Sequence, residues 1–176
     1  MHFERLTDPG HPMYKAAMAL YGGSFPLHEQ REKASQERIL HDEEYFFNLI
    51  YDEDAFVGLI LCWESEPFIY VEHFCILPEM RNKRYGQKAL AHLGQRGKTV
   101  ILEIDPPVDP ISIRRKGFYE RCGFVSNPYS HIHPPYHKGN EGHKLVVMSL
   151  PDRITQAGYD AFKHYLEERV MADVFF

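Results

Sequence analysis

The chain has 176 residues, of which 44% are hydrophobic, 14% aromatic and 26% charged, and its formal net charge is −5. That length suits one domain over residues 1–176 with a sizeable core and is short for two, and the composition lacks the polar excess of a disordered chain. The acidic balance argues against a nucleic-acid partner, which needs a surplus of Lys and Arg on one face, and no stretch approaches the roughly 18 apolar residues of a membrane span.

In chain order, His2 to Leu6 alternates and predicts an opening strand. Met13, Ala16, Ala17, Leu20 and Tyr21 recur at helical spacing after Pro12, and Gly22-Gly23 predicts the stop of that helix. The charged stretch His28 to His41 allows one or two further helical turns leading into the sheet. Tyr45 to Tyr51, the polar turn Asp52-Glu53-Asp54 and the run Ala55 to Trp63 predict an antiparallel hairpin. Phe68 to Leu77 is apolar on both faces and stops at Pro78, the pattern of a central strand covered by helices.

After the basic segment Arg81 to Lys88 comes a helix carrying Ala89, Leu90 and Leu93, which ends at Gly94 or Gly97. Val100 to Ile104 predicts a strand, Ile113 to Cys122 a helix closed by Gly123, and Phe124-Val125 the start of another strand. A loop dense in His, Pro and Tyr precedes a strand from Leu145 to Leu150. Ile154 to Val170, with Phe162, Tyr165, Leu166 and Arg169 at helical spacing, predicts an amphipathic closing helix. With no internal repeat or linker, the order describes an α/β mixed sheet with helices on both faces.

The most informative stretch is the central strand running through Arg81-Asn82-Lys83-Arg84-Tyr85-Gly86-Gln87-Lys88 into a helix. A helix N-terminus offers unpaired N–H groups and about half a positive charge. Arg81, Lys83, Arg84 and Lys88 add four positive charges there, in an otherwise acidic chain. Such a local reversal of sign suits a pyrophosphate.

This segment resembles the cofactor loop of the GCN5-related N-acetyltransferase (GNAT) superfamily, Arg/Gln-x-x-Gly-x-Gly/Ala, with Arg81 and Gly86 matching its first and last positions. A second element, Phe118-Tyr119-Glu120-Arg121-Cys122-Gly123-Phe124, is similar to that family's Phe-Tyr-Glu-x-x-Gly-Phe. Together the two motifs and the strand before them cover roughly Phe68 to Phe124. The resemblance implies a mixed, mostly antiparallel sheet flanked by helices. It also implies acetyl-coenzyme A as co-substrate, no metal, and transfer of the acetyl group by direct attack of a small-molecule or peptide amine in a ternary complex.

The resemblance further implies that Ile76 and Leu77 meet the pantetheine arm through their backbone, with an N–H polarising the thioester carbonyl. Arg81, Asn82, Lys83, Arg84, Tyr85, Gly86, Gln87 and Lys88 are then the phosphate contacts, with Ser112 on the next helix adjoining the cofactor. Arg84 stands where the family has glycine. It can donate to phosphate from its side chain provided the backbone need not take positive φ there. A non-catalytic acyl-coenzyme A sensor is the alternative that this substitution raises, and a peptide-binding scaffold is a third.

Tyr119 matches the tyrosine that protonates the departing thiolate in many relatives. For the base, Glu72 and His73 are adjacent polar residues in an apolar strand, where burial without a partner is costly. Strict alternation sends them to opposite faces, Glu72 with Tyr70, Phe74 and Ile76, and His73 with Val71, Cys75 and Leu77, so that one of them faces the acceptor. A structural pair, or an ordered water as relay, is the competing reading.

Cys62, Cys75 and Cys122 are odd in number and lie among apolar neighbours, as reduced core thiols do, which with the absence of an apolar signal segment at Met1 to Arg5 predicts a cytoplasmic setting. A buried Cys75 is inert as an acyl carrier. The resemblance implies that the loop holding His131, His133, His137 and His143 shapes the acceptor pocket, and although the first two are spaced to share a metal, the strong ligand spacings are missing. The acidic chain favours a cationic amine, and Val174-Phe175-Phe176 is a candidate homodimer contact.

Overall fold

In the computed structural model, which describes residues 1–175, the strands are β1 (His2–Leu6), β2 (Tyr45–Asp52), β3 (Ala55–Glu64), β4 (Phe68–Ile76), β5 (Thr99–Ile104), β6 (Val125–Ser126), β7 (His131–His133) and β8 (His143–Leu150). They lie in the order β1-β2-β3-β4-β5-β8-β6, with β7 paired to the other end of β8. Every described pairing is antiparallel except β4 with β5. That parallel pair is joined by α3 (Tyr85–Gly94), the crossover such pairing requires. The mixed, mostly antiparallel sheet implied by the sequence is therefore present.

Two apolar layers sandwich the sheet. On one face α1 (Tyr14–Ser24), α2 (Lys33–Ile39) and α5 (Gln156–Tyr165) bury Leu20, Tyr21, Ile39 and Phe162 against Tyr45, Trp63 and Tyr70. On the other, α3 and α4 (Pro110–Arg121) bring Leu90, Leu93 and Phe118 onto Val57, Ile69 and Val100. No described helix is long and apolar enough to cross a membrane.

Several boundaries differ from the sequence reading, each for a local reason. α1 continues through Gly22-Gly23 to Ser24, because neither glycine takes positive φ and the Gln30 amide donates to the carbonyls of Gly22 (3.2 Å) and Phe25 (2.6 Å), satisfying the helix end from outside. α4 begins at Pro110 and not Ile113, since Asp109 and Ser112 form a capping box around a proline in the first turn. The closing helix starts at Gln156, capped by the Thr155 hydroxyl, and ends in a wider π turn over Leu166–Val170. The histidine-rich loop itself supplies β7, and β8 starts at His143. Val174 is fully buried in the first layer and offers no dimer contact; Phe175 is half exposed, and Phe176 lies outside the described residues.

One irregularity positions the site. Along β3 and β4, Leu61 faces His73 while Cys62 faces Val71, so Glu72 is an extra residue, a β-bulge. The bulge cancels alternation: Tyr70, Glu72, His73 and Cys75 share one face, and Val71, Phe74 and Ile76 the other. The expectation that Glu72 and His73 lie on opposite faces is corrected by this insertion.

Gly58 of β3, opposite Ile76, carries the end of β4. A Cβ there would lie 2.4 Å from the Cys75 carbonyl oxygen and 3.0 Å from the Ile76 Cα, both backbone atoms with little freedom to move. Gly58→Ala is therefore expected to lower the unfolding free energy by about 1–3 kcal/mol, the range for overpacking. Urea denaturation reads this, and an unchanged midpoint would contradict the close approach.

Candidate active site

β4 and β5 pair only from Phe68 to Val71 against Thr99 to Leu102; beyond Val71 no described strand covers that edge of β4. Between the diverging strands lies a cleft of about 1320 Å³. It is open to both helical layers, and its two ends differ in charge. Arg81 and Arg84 line one end with Arg114 and Arg121 of α4, and Glu29, Glu103 and Glu141 line the other, while Arg115 and Asp105, paired at 2.9 Å, lie where the two meet.

At the basic end the chain leaves β4 through a turn at Pro78–Met80, and Arg84 is the residue before the first turn of α3. The helix start has no side-chain cap, so its first N–H groups are not satisfied by a protein side chain. Arg84 has φ 64° and Asn82 φ 61°: the backbone keeps the left-handed shape that glycine takes most easily. The proviso of an ordinary φ at Arg84 therefore fails, and the loop carries strain in its place. Gly86 lets α3 approach α4, since a Cβ would stand 3.1 Å from the Phe118 ring.

Arg81, Asn82, Arg84, Tyr85, Gly86 and Gln87 line the cleft, as do Ile76, Glu72, His73 and Tyr119. Four anticipated residues are not in the lining and make other contacts. Lys83 lies against the Met80 sulfur, and Lys88 sits 3.9 Å from Asp52 with its Nζ over the Tyr85 ring. The Leu77 N–H donates to the Val57 carbonyl at 2.9 Å, which keeps it within the sheet. The buried Ser112 hydroxyl belongs to the capping box with Asp109.

Tyr119 packs edge-on against Phe118 and Phe124, and its hydroxyl has no described hydrogen-bond partner. Burial, only partly offset by Arg115, pushes it up to about 12. Full proton transfer to a thiolate of cysteine-like pKa is then uphill by roughly 5 kcal/mol, so the phenol suits donating a hydrogen bond to the sulfur. Burial also raises the Cys75 thiol, consistent with an inert side chain.

At the acidic end Glu72 is fully engaged. One carboxylate oxygen accepts from Arg31 Nε (2.9 Å) and the Tyr136 hydroxyl (3.0 Å), the other from Trp63 Nε1 (2.9 Å). Neither Arg31 nor Glu72 has any side-chain exposure. Burial alone would raise the Glu72 carboxyl, but Arg31, His73 and Trp63 hold it below the usual carboxylate range. His73 is different. Its Nε2 is 2.8 Å from the Glu29 carbonyl, which can only accept, so Nε2 carries the proton and the buried Nδ1 lone pair has no partner. Burial keeps the ring neutral by lowering its pKa from 6.5.

The sequence reading missed Glu103. Its carboxylate accepts from the Tyr70 hydroxyl (2.5 Å), meets His131, and has His133 at 3.9 Å. These partners outweigh burial and lower its pKa. A lone acid inside Val100 to Ile104 was the available signal, the same one that marked Glu72. Arg31 had none, lying in a stretch without clear register. Of the four histidines in the histidine-rich loop, His133 and His143 line the cleft together with Pro134 and Tyr136, whereas His131 and His137 do not.

A model of the GNAT acetyltransferase family matches residues 11–124. A Bacteroides thetaiotaomicron chain provisionally assigned to that family is 30% identical, with a TM-score of 0.91 over 97% of this chain and 98% of that one. YjbC of Bacillus subtilis, provisionally assigned as an acetyltransferase, is 26% identical over 102 residues, which is 57% of this chain but only about half (52%) of that protein. Arabidopsis thaliana Naa50, solved with a bisubstrate analogue joining coenzyme A to a peptide, shares the fold at 18% identity, with a TM-score of 0.60 over 84% of this chain and 96% of that one.

Two stability tests follow from this geometry. Arg31→Leu strands a buried carboxylate and is expected to cost about 3–5 kcal/mol, with Glu72→Gln added to it recovering part; a loss under about 1 kcal/mol in denaturant unfolding contradicts the pairing. Because the folded pKa of Glu72 lies below its ordinary 4.5, its contribution is complete above that pH and is lost as pH falls through the folded value. At the loop, Arg84→Val puts a β-branched residue at positive φ and should cost about 1–2 kcal/mol, while Arg84→Gly should be close to neutral or stabilising. Equal midpoints for the two variants would mean that no strain resides there.

Proposed function

The chain belongs to the GNAT acetyltransferase family, and from that membership we propose that it transfers an acetyl group from acetyl-coenzyme A to an amine of a cationic small molecule or peptide, by direct attack within a ternary complex. The observation that carries this reading is the polarity of the cleft. Arg81, Arg84, Arg114, Arg121 and an uncapped helix start suit the phosphates of the coenzyme, and an opposite end lined by Glu29, Glu103 and Glu141 suits positive groups of the acceptor remote from the attacking nitrogen. The uncovered edge of β4 between them suits the pantetheine arm as an added strand.

In this mechanism the neutral amine attacks the thioester carbon, and the nitrogen, now far more acidic, gives its proton to His73. The free Nδ1 lone pair and a pKa below 6.5 support that role, since the imidazole is unprotonated at neutral pH. Glu72 positions the strand and is not the base, with each of its oxygens already occupied. Tyr119 donates a hydrogen bond to the leaving sulfur.

The test is thiol release from acetyl-coenzyme A across a panel of cationic and neutral amines. Turnover is expected on a cationic amine. Tyr119→Phe and His73→Gln should each lower kcat about tenfold or more with the KM for acetyl-coenzyme A little changed. The acid limb of the pH profile should lie below 6.5, because His73 must be unprotonated to act. Tight coenzyme A binding without turnover on any amine would instead favour a sensor, and full activity in Tyr119→Phe would remove that residue from the mechanism.

A further inference from the structure

The histidines first suspected of sharing a metal, His131 and His133, are directed at Glu103. A different set converges at the rim of the cleft. We propose that His28, Glu29 and His143 form a binding site for a divalent ion of the zinc class. Their ligand atoms all lie within 4.8 Å of one another. His28 Nε2 is 3.7 Å and His143 Nδ1 3.9 Å from the same Glu29 oxygen, Oε1. Ligands of a tetrahedral zinc, each about 2.0–2.2 Å from the metal, stand roughly 3.4 Å apart. The two pairs to Glu29 are therefore within about half an ångström of that spacing, and side-chain shifts of at most about 1.4 Å close the site.

Two further features separate this from a chance meeting of surface groups. With Nδ1 of His143 turned to the ion, its Nε2 is 3.4 Å from Asp105 Oδ1. That is the carboxylate–histidine–metal arrangement, in which the outer carboxylate fixes the tautomer and strengthens the ligand. The turn Leu27–Glu29 is also held from both sides: the Glu29 carbonyl by His73 Nε2 at 2.8 Å and the Leu27 carbonyl by His137 Nε2 at 2.8 Å. Two of the three ligands thus sit on a pinned segment, and the third on the start of β8.

Two imidazoles and one carboxylate favour zinc over calcium or magnesium, which prefer oxygen ligands. With three protein ligands, a fourth position remains for water or a small donor. The bound ion would tie the turn after α1 to β8 across the mouth of the acceptor end.

Tag-free protein stripped with a chelator is titrated with Zn²⁺ by calorimetry and with Co²⁺ by visible absorption. One equivalent should bind, with a tetrahedral Co²⁺ spectrum and a higher thermal midpoint. His28→Ala and His143→Ala should each weaken binding by about tenfold or more, and Asp105→Asn, which keeps all three ligands, by about 10–100-fold. His28 is exposed and His143 partly so, which keeps these variants foldable, as circular dichroism checks. No stoichiometric binding by the parent protein, or undiminished binding by the His28→Ala/His143→Ala double variant, overturns the site.

Discussion

The buried ion pair between Arg31 and Glu72 is the interaction on which the architecture of the cleft depends. A bulged residue in the middle of a sheet leaves its neighbours poorly paired, and a carboxylate with no exposure is unstable without a cation. Arg31 answers both demands. Its guanidinium reaches Glu72 on β4, the Val170 carbonyl at the chain's far end and the Ser35 hydroxyl of α2. Trp63 and Tyr136 complete the enclosure of the carboxylate from β3 and the β7–β8 loop. Segments far apart in the chain are thereby fixed around a single charge pair, and the bulge that turns His73 into the cleft is held in place.

The two ends of the cleft rest on different physics. The basic end is made of backbone: an uncapped helix start, two residues with positive φ, and arginines at its edge. The acidic end is made of side chains whose charges satisfy one another, as Glu103 does with Tyr70, His131 and His133. His73 is the exception within that network, with one nitrogen committed and the other unpaired. An unmatched acceptor among matched groups persists only where its neighbours over-determine its position.

Much of the fold was legible in the residues, and the failures share a cause. Hydrophobic periodicity located the hairpin, the central strand and the helices after it, because those elements bury continuous apolar faces. Residues of the motif from Arg81 to Gly86 and of the segment from Phe118 to Phe124 line the same cleft. What could not be read was whatever long-range contacts decide. Gly22-Gly23 looks like a helix stop until Gln30 folds back to accept that role. Glu72 and His73 alternate on paper, and only pairing with β3 reveals the inserted residue. Lys83, Lys88 and Ser112 carry suitable chemistry, and their contacts with Met80, Asp52 and Asp109 could not be read from their spacing. Arg31 gave no local sign, since a buried cation is defined by partners more than forty residues away.

The parts of the cleft also have different origins along the chain. The strand, loop and helices of the basic end form one continuous stretch, whereas the opposite wall is assembled from the turn at Leu27–Glu29 and the hairpin of β7 with β8. The family match ends at residue 124, before that hairpin begins. The hairpin, unlike the turn at Leu27–Glu29, thus stands outside the matched region, and it can be remodelled without rebuilding the basic end of the cleft.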